Sequence, residues 1–303
     1  LGDHFWETGE IGKVNILIID TLLAHLIKAR TYFIDINGLK LTESEIHKAH
    51  RLEFQKPNEL KKYEFQGYNI KKDMLNGLGV TKLLAQILAS LCDDVTIDGL
   101  PDRVVQLFVE LLDGGNKMVQ QTLYDHLTST NTDGKFLLHI ENRLRHSSDL
   151  YLESKKFEII RSNKNEKIIS SEMKIIRTKS SHDLIETFRL LQLLCEGHHL
   201  GFQNYLRIQD AQTSSQVNIV KISCKFLIQA CDSKDSLRTF TPIEVSLISQ
   251  ILLFLIECIQ GPCGGNQELI IKSDVIIALD SILYSVNKHD EALSQSDPNY
   301  MDL

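Results

Sequence analysis

Apolar residues recur at helical spacing in short segments along this chain, and from Ile70 to Leu144 only short breaks separate them. Residues 13–33 carry such a pattern, from Ile16 through Leu23 to Ile27. Residues 70–76 and 80–91 form two more, separated by Gly77 and Gly79. Asp102–Leu112 follows with Pro101 at its first turn, where a missing N–H is harmless. Asp113-Gly114-Gly115-Asn116 stops it, and residues 117–127 and Lys135–Leu144 resume the pattern. Five prolines and sixteen glycines in 303 residues are few, which favours helices over short strands and tight turns. The expected fold is all-α, an irregular armadillo-like α-solenoid without a fixed repeat period.

The second half predicts helices over Asp183–Cys195, Gly201–Ile208, Val217–Cys231, Pro242–Ile259 and Glu268–Asn287. Thr241 and Pro242 are cap and first-turn residues, and Gly261-Pro262 is a stop. Residues 147–182 are rich in Ser, Lys, Asn and Glu and read as a solvated, flexible linker. The expected organisation is therefore an N-terminal helix with an exposed connector over 1–69, a solenoid segment over 70–146, this linker over 147–182, and a core helical domain over 183–303 with a frayed tail.

Charge and composition exclude several classes. A net charge of -7 argues against a nucleic-acid surface, which needs a concentrated basic face. No run of about 18 apolar residues is evident, so no membrane span is expected. The chain has neither a signal peptide nor an initiator Met, and reads as a fragment of something longer. Six scattered cysteines, several in apolar helical patterns, suit buried thiols in a reducing cytosolic setting. No G-x-S-x-G elbow, P-loop or H-E-x-x-H is present, and no enzyme is expected.

Two segments carry candidate chemistry. In Leu194-Cys195-Glu196-Gly197-His198-His199 a carboxylate and an imidazole lie two residues apart at a helix end. In Glu257-Cys258-Ile259-Gln260-Gly261-Pro262-Cys263 a glutamate stands inside an apolar run, with Gln260 on the same helical face. A buried carboxylate is costly unless it is paired or binds a metal. Each glutamate taken alone also suits a boundary residue paired with a cation or turned to water. A zinc site from Cys195, His198, Cys258 and Cys263 is a further option, disfavoured by the loose Cys258–Cys263 spacing.

The same two segments resemble the intracellular calcium-release channels, the family of inositol trisphosphate and ryanodine receptors. Leu193-Leu194-Cys195-Glu196 with His198, then Phe202-Gln203-Asn204-Tyr205-Leu206-Arg207, is similar to the family's L-L-C-E-N-H and L-Q-N-F-L-R strings. Glu257 through Cys263 with Asn266-Gln267 is similar to its E-Y-C-Q-G-P-C and N-Q, and Ile276–Leu279 to its I-I-T-A-L. Upstream, Leu112-Asp113-Gly114-Gly115-Asn116 and Val119-Gln120 resemble L-L-x-G-G-N-x-x-V-Q. Gly197, Cys258-Ile259, Gly264 and Gly265 depart from the pattern. The compact upstream part leans toward the inositol trisphosphate branch.

The resemblance implies a cytosolic regulatory region of a homotetrameric ligand-gated channel in the endoplasmic reticulum or another calcium-store membrane. It implies Glu196 and Glu257 as carboxylate ligands of activating Ca²⁺, with His198 and Gln260 auxiliary. The site would be completed by the channel's C-terminal segment, the main expected partner, and membrane contact would come only through a pore domain outside this chain. The competing expectation is a helical protein-interaction scaffold with no ion site.

Overall fold

The computed structural model describes residues 16–26, 70–91, 99–129, 134–162, 168–209, 216–232 and 240–284, with the side chains of 158–162 and 168–170 excepted. The described residues are helical and contain no strand, so the fold is all-α. The exposed connector expected within 1–69 and the frayed tail expected at the end of 183–303 lie outside them. Two compact units divide the chain, Leu1–Thr130 and Asn131–Leu303.

The first unit holds α1 (Ile16–Leu26), α2 (70–77), α3 (Val80–Ser90), α4 (Leu100–Leu112) and α5 (Lys117–Ser129). Ile19, Leu23 and Leu26 recur at helical spacing on α1 and are buried. α3 packs on α4 and α5. Gly79 and Gly99 precede α3 and α4 at φ 88° and 84°, a region that side-chain-bearing residues rarely adopt. Lys72 is fully buried on α2, and its ammonium donates to the Asp113 carbonyl at 2.7 Å. Asn76 donates to Thr122 at 2.9 Å, and Asn116 to Asp73 at 3.0 Å. These polar bonds pin α2 to α5 and to the turn before it.

The second unit holds α6 (Lys135–Ser162), α7 (Ile168–Cys195), α8 (Leu200–Tyr205), α9 (Ile219–Ala230), α10 (Pro242–Ile259), α11 (Gly264–Ile271) and α12 (Val275–Tyr284). α7 is its spine, packed along α6 and along α10. α9 closes against α6, α10 and α11. Phe188 lies 5.8 Å from Phe254 and 6.5 Å from Phe226 between ring centroids, and Tyr151 lies 5.6 Å from Phe226. That cluster joins α6, α7, α9 and α10. Helices packed on their neighbours within each unit are consistent with an irregular solenoid.

Three expectations differ from the structure. Residues 147–182, read as a linker, are helical on both sides of 163–167. Their polar side chains bond within the fold. Ser154, Ser180 and Ser181 donate to carbonyls of their own helices, and the buried Lys155 donates to the Ala230 carbonyl at 2.6 Å and lies over the Phe240 ring. Glu268–Asn287, read as one helix, breaks at Lys272–Asp274 into α11 and α12. Finally, α10 is long and apolar enough to cross a membrane by length and composition. It buries its Glu244 and Glu257 and packs along α7, as the core helix of a globular unit does.

Candidate functional site

α7 ends at Cys195 because the next residues reverse the chain. Gly197 has φ 73° and His198 φ 64°. The left-handed region is easy for glycine and strained for histidine, and His198 is the one non-glycine residue found there among the described residues. Glu196 therefore stands in a turn, just past the end of α7. His199 then caps α8, its Nδ1 accepting from the Phe202 N–H at 3.2 Å.

Glu257 lies in the last turn of α10, and Gln260 is that helix's C-cap. Cys195 and Cys258 are in side-chain contact, and the His198 charge acts on Glu257. A side-chain carbon built on Gly261 would lie 3.7 Å from His198 Cβ. The structure thus brings the 195–198 turn against the 257–261 turn, although the two are far apart in sequence.

Glu257 is 7% exposed, and its Oε2 has no hydrogen-bond partner among the described residues. Burial pushes its carboxyl above the usual glutamate range, while the charges of His198 and Arg189 pull it back. Glu196 is half-buried, and its Oε2 too is shielded from solvent. Sequence reasoning missed Arg189. Its position two helical turns before Glu196 on the same face was the available signal. Arg189 also donates to Gln192, which accepts from Gln250 of α10.

Sequence reasoning also missed Gln203, which is fully buried on α8 and donates to the carbonyls of Glu257 and Gln260. The string resembling L-Q-N-F-L-R contains it but gives it no role. Only the packing of α8 on the end of α10 reveals it.

The chemistry of the donor set discriminates between metals. Among the described residues no three His, Cys, Asp or Glu side chains converge to hold an ion. The zinc option fails on this geometry. What the two abutting turns carry is one glutamate each, an oxygen set suited to a hard cation only if further oxygens arrive from elsewhere.

Residues 178–283 match the family model described as RyR and IP3R Homology associated. This stretch is a region of the inositol trisphosphate and ryanodine receptor family. It runs from within α7 into α12 and contains both turns. The chain is also similar to the inositol 1,4,5-trisphosphate receptor itr-1 of Caenorhabditis elegans, 46% identical over 83 residues. That alignment covers 26% of this chain and 3% of the worm receptor. The upstream likeness read at Leu112–Asn116 and Val119-Gln120 lies outside the matched family region.

Proposed function

We propose that this chain is a cytosolic regulatory region of a tetrameric intracellular calcium-release channel, and that Glu196 and Glu257 are its half of an activating Ca²⁺ site. The observation that carries the reading is the state of Glu257: a buried carboxylate with an open oxygen, on a turn that abuts the one bearing Glu196. Ca²⁺ takes about six to eight oxygens at roughly 2.3–2.6 Å. Two carboxylates and the Gln260 amide supply about three to five of them. His198, a poor ligand for so hard an ion, orients Glu257 or holds a water.

An incomplete set suits a switch. When the channel's C-terminal segment brings the remaining oxygen, the ion is held tightly only in the docked arrangement. Binding then favours that arrangement by its difference in affinity, on the order of 1–3 kcal/mol per site. Four subunits acting together make the response steep in calcium. The channel is placed in a store membrane such as the endoplasmic reticulum, with this region on its cytosolic side.

The test uses the full-length channel carrying Glu196→Ala or Glu257→Ala. Each substitution should move the calcium concentration for half-activation far upward. An unchanged activation curve in both would refute the site. It would favour instead a helical interaction scaffold, a reading supported by the exposed Val245, Leu253 and Ile256 on one side of α10.

A further inference from the structure

The last carbonyls of any α-helix lack intrahelical donors. At the end of α10 they are taken by side-chain amides. Gln203 Nε2 donates to the carbonyls of Glu257 at 2.7 Å and Gln260 at 2.9 Å. Asn266 Nδ2 donates to that of Cys258 at 3.0 Å. Gln267 Nε2 donates to those of Ile259 at 2.9 Å and Gly261 at 3.0 Å. Three amides from α8 and α11 thus fasten one turn. The division of labour is uneven. Gln203 holds the two residues whose side chains are candidate ligands, while Asn266 and Gln267 hold the residues between and after them.

The orientation of Gln203 is fixed by chemistry. Two carbonyls face its nitrogen, so the reversed amide would set oxygen against oxygen. Its Oε1 is thereby turned away from both carbonyls, and is buried without a hydrogen-bond partner among the described residues. Its backbone is held as well. Asn266 Nδ2 donates to the Gln203 carbonyl at 2.8 Å, and Arg207 Nε donates to Asn266 Oδ1 at 2.9 Å. Arg207 comes so close to Gly265 that a side-chain carbon there would meet its guanidinium at 2.5 Å. A bonded path therefore runs from Arg207 through Asn266 to Gln203, and from there to the turn bearing Glu257 and Gln260. α8, which carries Gln203, begins just after the turn bearing Glu196 and His198.

We infer that Gln203 is the positioning residue of the carboxylate pair: by bridging the carbonyls of Glu257 and Gln260 it fixes that turn relative to the one bearing Glu196. The inference rests on the calcium reading above and adds a residue that never needs to touch the ion. Outer groups that orient ligands typically change metal affinity about 10–100-fold when removed.

The test is calcium activation of the full-length channel carrying Gln203→Met, which keeps length and bulk and removes both bonds. The half-activating calcium concentration should rise about tenfold with the maximal response retained. Gln203→Asn, one methylene shorter, should raise it less, and carries the test if the methionine variant does not assemble. Tyr151→Phe, at the other end of α10, breaks a buried bond and should leave the calcium midpoint in place. If Glu196→Ala and Glu257→Ala shift the midpoint while assembled Gln203 variants stay within twofold of the parent, the positioning role is overturned and the site stands. If Tyr151→Phe shifts it as much as Gln203→Met, the midpoint is following stability alone and the role is again overturned. If neither glutamate variant shifts it, the site itself fails and this inference fails with it.

Discussion

Glu257→Gln separates the electrostatic reading of this residue from its packing. The amide keeps the shape of the acid and removes the charge, exchanging one carboxyl oxygen for an NH2 group. In the parent, an ionised carboxylate is buried with Oε2 unpaired among the described residues. Leaving such an acceptor unsatisfied costs about 1–3 kcal/mol. His198 and Arg189 recover part of this cost, since their charges favour the ionised form. Removing the charge relieves the part of its desolvation that these two leave uncompensated, and a gain of about 1–2 kcal/mol at neutral pH is expected from the substitution. For a unit of this size that is a rise in Tm of about 2–8 °C. The measurement is thermal unfolding of the chain in calcium-free buffer, following the transition of the Asn131–Leu303 unit. The pH dependence has a definite sign. The unfolded carboxyl titrates near its ordinary value of 4.5, and the folded one above it. Between the two the folded state binds more protons, so parent stability falls as pH rises through that window and stays lower above it. The variant should lack this fall, and the two proteins should converge below the window. On the proposed reading calcium would act in the opposite direction, because an ion at Glu257 would require the ionised form and displace its proton. A variant less stable than the parent at neutral pH without calcium, or one with the same slope against pH, would refute the reasoning.

Two further substitutions test the frame that holds the site. Tyr151→Phe removes the hydroxyl that donates to Glu244 Oε1 at 3.0 Å in a buried setting, and should lower stability by about 1.5–3 kcal/mol in denaturant titration; an unchanged midpoint would show that this bond contributes nothing. Phe254→Ala empties a fully buried place beside Phe188 and should cost about 3–5 kcal/mol, whereas Phe157→Ala at a half-exposed ring should cost far less, and equal losses would contradict the assigned core.

The punctuation of this fold was legible in the sequence. Gly79, the Gly114-Gly115 pair and Gly261-Pro262 end or separate helices where the chain must leave helical dihedrals, and such residues announce themselves locally. The pairing of Thr241 with Glu244 was legible only in part. The cap was evident, but burial of Glu244 at the start of a long apolar helix depends on Tyr151, which arrives from α6. Glu257 was found because a charge inside an apolar run is anomalous without any knowledge of the partners. Residues 147–182 misled because composition averages over faces. Lys, Arg and Glu are good helix formers, and the few side chains that decide the matter, such as Tyr151 and Ser181, are outnumbered. Gln203 stood in the string that resembles the channel family, but its role could not be read there, since a buried glutamine and an exposed one have the same local sequence.

α10 carries a comparison that bears on the whole interpretation. It buries two glutamates, one at each end. Glu244 is surrounded by donors: the Thr241 N–H at 2.8 Å and hydroxyl at 2.7 Å on Oε2, with Tyr151 at 3.0 Å and Arg177 at 3.6 Å on Oε1. A carboxylate so provided for has its function in the fold itself, joining α6 and α7 to the start of α10. Glu257 shares the residue type, the helix and the burial, yet its Oε2 receives no donor among the described residues. The amides near it, Gln203 above all, spend their N–H groups on its backbone carbonyl and those of its neighbours. The backbone at this end of α10 is therefore satisfied while the acid is left open. Packing alone would be served better by an apolar residue, because the charges of His198 and Arg189 offset only part of the cost of burying this carboxyl. A ligand that needs the charge accounts for both features, the fastened turn and the open oxygen, whereas a passive spacer accounts for only the first.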